Sequence, residues 1–217
     1  MSVRLWRVRS ANGSVQDKSV PRSSAIPEAK FLKSASQASH YPPTKVPEVA
    51  FYGRSNTGKS SLINALVRQK GLVKTGSKPG MTQLINFFTY GDDLMLVDLP
   101  GYGYAKSPAA VRERFPKMMR EYFQTRSSLK LVCLLLDIRR TPSDIDIETA
   151  NLLASLEVPT ALVLTKSDKV SGNGRMNQLH LIARELGLKV EDLFLTSAEK
   201  GVGIKDLWTL IRSQTQG

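Results

Sequence analysis

A three-layer α/β fold with a mainly parallel sheet follows from three features of the sequence. Apolar runs of strand length alternate with amphipathic stretches, most of those runs are continuous rather than alternating, and a glycine-rich turn joins the first of them to a helical stretch. Six strands are expected, at 46–52, 84–90, 94–99, 130–137, 159–165 and 193–196, with helices at 59–68, 108–126, 144–156, 175–186 and 204–213 covering both faces. Only Gly91, Asp92 and Asp93 separate the second and third strands. That gap is too short for a helical crossover, so this pair must be a hairpin, which makes one strand antiparallel to the rest. Residues 31–36 read as either a short strand or a turn docking on the domain, and Tyr41-Pro42-Pro43 as a loop.

The chain has 217 residues, 41% hydrophobic and 23% charged, which suits one domain of 28–217 preceded by an arm. A single cysteine, Cys133, excludes an intramolecular disulfide and a cysteine-based zinc cage, and two histidines leave little for a His-rich metal site. The longest apolar run, 131–136, is too short to span a bilayer. Charge is uneven. Residues 1–46 carry 8 Lys/Arg against 2 Asp/Glu, and the remainder 23 against 17, so half of the net +12 lies in the first fifth of the chain. Such an excess favours phosphate-rich partners. Residues 1–27, rich in Ser and Arg and interrupted by Pro21, read as a flexible basic arm, either a leader of a cytoplasmic protein or an organellar transit peptide.

Gly53-Arg54-Ser55-Asn56-Thr57-Gly58-Lys59-Ser60 fits G-x-x-x-x-G-K-[ST] between an expected strand and an expected helix. A chance match in a chain of this length is on the order of 1%. The chemistry needs glycines where backbone N–H groups wrap phosphate oxygens, Lys59 to neutralise β/γ charge and the Ser60 hydroxyl for Mg²⁺, with the positive end of a helix behind them.

Asp98-Leu99-Pro100-Gly101 closes the third strand, where a carboxylate can reach Mg²⁺ through water and Gly101 N–H can meet a γ-phosphate. Thr165-Lys166-Ser167-Asp168 closes the fifth. Asp168 can accept from guanine N1–H and the 2-amino group, donors that adenine lacks, and Lys166 can lay its stem along the base. Thr196-Ser197-Ala198 follows the last strand and is expected to offer backbone N–H groups to guanine O6. The order of the four motifs is far more specific than any one of them.

On these residues the sequence resembles the translation-factor class of P-loop GTPases. More narrowly it is similar to the EngB/YsxC/YihA family of ribosome-biogenesis GTP-binding proteins, from about Phe31 onward, through the segments 53–66, 78–88, 98–106 and 164–169. Thr57, where the family commonly has Val, and Met81, where a basic residue usually precedes the switch Thr, depart from its pattern. The resemblance implies a Ras-like G domain that binds GTP or GDP with Mg²⁺, assembles the large ribosomal subunit through rRNA contact and supports cell division and septation as a cytoplasmic monomer. By motif match, nucleotide contacts fall on Gly53 to Ser61 (Ser61 included), on Gly80, Met81, Thr82, Gln83 and Leu84, on Asp98 to Gly101, and on the two guanine segments. Ser60, Thr82 and Asp98 would serve the metal, with Thr75 and Thr89 as rivals of Thr82. Lys59, Asn56, Gly101 and Thr82 would serve catalysis.

Where many GTPases place Gln after D-x-x-G to orient water, this chain has Tyr102, so slow intrinsic turnover is expected. Charge stabilisation would then come from a potassium ion held by Asn56 or from the ribosomal partner, unless Asn56 is a plain turn residue. A scaffold of the division apparatus that hydrolyses little is the alternative function. Basic residues concentrate near both switches, six against no acid over 54–91 and seven against two over 106–130. His40 and His180 belong to no catalytic motif, and Cys133 reads as an inert core residue.

Overall fold

The computed structural model describes residues 27–74, 84–103 and 109–216, with side chains from 115 onward in the last segment. The arm expected at 1–27, apart from its last residue, lies outside these, as do Thr75, Gly80, Met81, Thr82 and Gln83.

A seven-stranded sheet is built from β1 (Ala29–Ala35), β2 (Glu48–Gly53), β3 (Ile85–Tyr90), β4 (Leu94–Asp98), β5 (Leu129–Asp137), β6 (Thr160–Thr165) and β7 (Leu193–Leu195), in the order β1-β3-β4-β2-β5-β6-β7. The expectation of six strands was one short. The segment left open as strand or turn is the edge strand β1, which pairs antiparallel with β3 through a bulge between Phe31 and Lys33. Short apolar content hid it, because only Ala29 and Ala35 of its seven residues are fully buried. β3 alone runs against the rest, as its three-residue connection to β4 requires.

Helices α1 (Lys59–Leu66) and α5 (Ile204–Thr215) cover one face, and α2 (Ala109–Thr125), α3 (Asp144–Ser155) and α4 (Gly172–Glu185) the other. Alternation along β2 divides the core: Val49 and Phe51 pack under α1 and α5, Ala50 and Tyr52 under the opposite layer. Cys133 sits wholly inside, where burial raises its thiol pKa far above the ordinary value. Met118 and Met119 are both core.

At the N-terminal end of the sheet, Glu48 is 0% exposed and is gripped by Arg126, whose Nε donates to both carboxylate oxygens at 2.9 and 3.0 Å, and by the Tyr122 hydroxyl at 3.2 Å. The Arg126 guanidinium also lies over the rings of Tyr41 and Phe87. A buried carboxylate is tolerated because its charge and lone pairs are both answered. This cluster ties α2 and the Tyr41 segment to the sheet at the end away from the motifs.

Candidate functional site

All four motifs come together at the C-terminal ends of the parallel strands, where β2, β4, β6 and β7 run into loops. Open α/β sheets place their ligands there. Gly53 ends β2 so close to β5 that a Cβ would stand 2.7 Å from Leu135 O, so no larger residue fits. The loop then folds on itself: Thr57 N–H and Thr57 Oγ1 both donate to Arg54 O, at 3.3 and 2.9 Å. Asn56 (φ 63°) and Gly58 (φ 95°) take left-handed backbone, and Gly58 opens α1 with no side-chain cap. Its first-turn N–H groups therefore remain for an anion.

Lys59 Nζ is ion-paired with Asp98 Oδ1 at the end of β4, and Asn86 Nδ2 approaches the other oxygen at 3.4 Å. Beyond Asp98 the chain keeps alongside the phosphate loop. Leu99 N–H donates to Phe51 O at 3.0 Å, Tyr102 N–H to Gly53 O at 3.3 Å and Ser55 N–H to Tyr102 O at 3.3 Å. Gly101 lies in this contact, where a Cβ would come within 3.0 Å of Ser55 N. The D-x-x-G glycine is thus required by close approach to the phosphate loop.

The loop after β6, expected to read the base, is held from below and from the side. Thr165 Oγ1 donates to Thr57 O, and Ser167 N–H to Thr196 O at 3.0 Å. Asp168 Oδ1 accepts from Ser197 Oγ at 2.5 Å, while Oδ2 is buried and, among the described residues, has no hydrogen-bond partner. Lys169 Nζ stands 3.0 Å from that oxygen as an ion-pair partner only. The Ser197 hydroxyl first and the Lys169 ammonium second bring the Asp168 pKa from 3.8 down to about 2. A charged carboxylate whose oxygens keep lone pairs beyond those facing Ser197 and Lys169 suits the paired N–H donors of guanine. Of the three N–H groups in the segment 196–198, two have acceptors within the fold. Thr196 N–H is engaged by Leu164 O at 2.7 Å and Ser197 N–H by Val202 O at 3.0 Å, so among the described residues only Ala198 N–H is without a partner.

Lys166 crosses towards the phosphate loop. Its Cε lies 3.5 Å from where a Gly58 Cβ would sit, and its Nζ donates to Asn56 O at 2.6 Å and to Asp137 Oδ2 at 2.8 Å. Asp137, at the end of β5, also accepts from Arg139 Nε at 2.9 Å, Arg139 Nη2 at 2.7 Å and Arg139 N–H at 3.1 Å. Burial would raise its pKa, but the bonds from Arg139 and Lys166 outweigh that and hold it well below the carboxylate range. No motif pointed to Asp137; its place as the last residue of a strand in the parallel sheet was the available signal.

Tyr102 occupies the position after D-x-x-G and turns inward. It is 5% exposed, packs edge-on against Tyr52, and donates its hydroxyl to Asp146 Oδ1 at 2.8 Å. Burial first, then the Asp146 charge, pushes its pKa far above the ordinary tyrosine value. Asp146 Oδ2 accepts in turn from Ser143 N–H and Oγ at the start of α3, at 2.8 and 2.6 Å, and Arg54 Nη1 donates to Ser143 Oγ at 3.1 Å. Thr89, a rival of Thr82, is fixed inside β3 opposite Met95, three residues along the strand from the Asn86–Asp98 pair. That is about 10 Å from the site.

A Ras-like sheet carrying the G-x-x-x-x-G-K-S loop, a D-x-x-G strand end and the T-K-x-D segment defines the class of P-loop guanine-nucleotide-binding proteins. Residues 48–166 match the family model described as 50S ribosome-binding GTPase. The chain is 50% identical over 186 residues to a probable GTP-binding protein EngB of Geobacter sp. (strain M21), covering 86% of this chain and 87% of that one. It therefore belongs to the EngB family of GTP-binding GTPases. Among solved structures, a probable GTP-binding protein EngB superposes with a TM-score of 0.64 at 24% identity, over 78% of this chain and 98% of that one. Era in complex with MgGDPNP and nucleotides 1506–1542 of 16S ribosomal RNA superposes at 0.57 with 25% identity, over 78% and 57%. Among the described residues no helix is long and apolar enough to cross a membrane.

Proposed function

We propose that this protein is a slow GTPase that acts as an assembly factor for the large ribosomal subunit, in contact with rRNA, and is needed for normal cell division and septation. The observation that carries this reading is the match of residues 48–166 to a family described as 50S ribosome-binding GTPases. The Era relative described with rRNA and the basic segments beside both switches add support. The protein works as a monomer in the cytoplasm, or in an organelle if residues 1–27 are a transit peptide.

Segments 53–61, 80–84, 98–101, 165–168 and 196–198 hold the nucleotide. The uncapped first turn of α1 and Lys59 take its phosphates, and Asp168 takes guanine. The Ser60 hydroxyl and the Asp98 carboxylate are hard oxygen donors suited to Mg²⁺, with Thr82 joining them when a γ-phosphate is bound. Bound there, magnesium would supply neutralisation of phosphate charge. For Lys59 to reach a phosphate its pairing with Asp98 must loosen, which would leave the carboxylate available to hold the metal. Gly101 N–H then reads the γ-phosphate.

Slow turnover is supported by Tyr102, whose hydroxyl is engaged inside the core and cannot orient water. Asn56, held with left-handed backbone, binds potassium as the substitute for the missing group. A GTP-dependent scaffold of the division apparatus remains the second reading, favoured by the same inward Tyr102. Co-sedimentation with large-subunit precursors tests the first: binding in the GTP-analogue state that weakens in GDP and with added salt is expected, and equal binding in both states would remove the switch. Turnover stimulated by ribosomal particles separates assembly factor from scaffold. Potassium stimulation over sodium, lost in Asn56→Ala, is expected of the cation site.

A further inference from the structure

We infer that Asp137 is a positioning residue for nucleotide binding, which acts through Lys166 to couple the base-reading loop to the phosphate loop. The inference rests on the reading that a guanine nucleotide occupies this site.

Three loops meet at one ammonium group. Lys166 leaves the base-reading loop with left-handed backbone (φ 61°), lies past Gly58, and reaches Asn56 O at 2.6 Å and Asp137 Oδ2 at 2.8 Å. Without Asp137 the ammonium would retain one neutral carbonyl, and a long flexible side chain with a water-facing alternative would leave it readily.

A cavity of about 100 Å³ lies between residues 54–57 and the connection from β5 to α3, lined by Arg54, Asn56, Asp137, Arg140, Thr141 and Asp146. Leu136 and Pro142 are the apolar members of this lining, and the Asn56 carbonyl itself is met by the Lys166 ammonium. Polar links hold this part of the loop: Lys166 at Asn56 O, Thr165 Oγ1 at Thr57 O, the Thr57 bonds to Arg54 O and the Arg54–Ser143 bond. Asp137 suits the task because it is itself rigid. Arg139 grips both its oxygens, its side chain is 6% exposed, and it stays ionised. The described partners of its carboxylate are Arg139 and Lys166, and of these only Lys166 reaches the phosphate loop, so its action is on Lys166.

The test is a double-mutant cycle on the full chain, reading Kd for GDP and a non-hydrolysable GTP analogue. Asp137→Asn is expected to weaken both nucleotides by about tenfold and equally, and in a Lys166→Met background to add less than about twofold. Guanine-over-adenine selectivity, set by Asp168, is expected to persist in Asp137→Asn. A merely structural role would multiply its effect onto Lys166→Met, and that result would overturn the inference. So would wild-type affinity in Asp137→Asn while Lys166→Met binds weakly, or an effect that disappears in an Arg139→Gln background instead. Asp137→Ser passes through the same cycle if the Asn variant does not fold. Failure of the underlying reading looks different: the wild-type chain would then bind GDP no better than ADP.

Discussion

The Tyr102 hydroxyl and Asp146 Oδ1 are joined by a 2.8 Å hydrogen bond between two buried side chains, 5% and 4% exposed. The bond fastens the residue after D-x-x-G to the first turn of α3, and Arg54 of the phosphate loop stands at the same turn, with Nη1 4.0 Å from Asp146 Oδ2. The D-x-x-G loop and the phosphate loop are in this way both linked to the start of α3.

Tyr102→Phe removes the donor and leaves a buried carboxylate oxygen unanswered. A loss of about 1–3 kcal/mol is expected, read as a lower urea midpoint with unchanged m-value. Tyr102→Gln is expected to bring no acceleration of GTP turnover, because the position points into the core; a tenfold or greater gain would show that the side chain reaches the water.

Arg126→Met strands Glu48 without its cation in the core. Such a change is expected to cost about 3–5 kcal/mol, whereas Glu48→Met with Arg126→Met should recover most of it. Chemical denaturation of the two variants decides the point.

Asp168 has a folded pKa of about 2 against an ordinary 3.8. Because the folded value is the lower, its contribution to stability is complete above about pH 4 and disappears as pH falls through about 2. Asp168→Asn should therefore flatten the acid limb of the stability profile between those limits. The same variant is expected to lose guanine-over-adenine selectivity, measured by competition with GDP and ADP.

Chelating Mg²⁺ is expected to weaken binding of a GTP analogue by about tenfold or more, since Ser60 and Asp98 then have no ion to share with the phosphates. In Asp98→Asn the chelator should have a smaller effect. Equal sensitivity in both proteins, measured by titration, would remove Asp98 from the metal's surroundings.

Much of this arrangement is legible in the sequence. Continuous apolar runs betrayed β5 and β6 because strands covered on both faces need no polar side, and Gly53, Gly58 and Gly101 stand where close approach or left-handed backbone admits little else. β1 was half hidden because an edge strand buries few of its residues. The guanine segment 196–198 was legible as a place, but not as a set of free N–H groups: two of the three are claimed by Leu164 and Val202, and backbone pairing leaves no mark in composition.

Local period and motif spacing determined the layer architecture, the antiparallel β3–β4 hairpin and the order of the phosphate, metal and base segments, since each depends on residues close in the chain. Tertiary structure alone decided which polar groups meet. Lys166 joins Asn56 across 110 positions, Arg126 joins Glu48 across 78, and Tyr102 turns to Asp146 across 44. Those partners are chosen by strand order and by which strand ends lie side by side, a property of the packed sheet that no local pattern encodes.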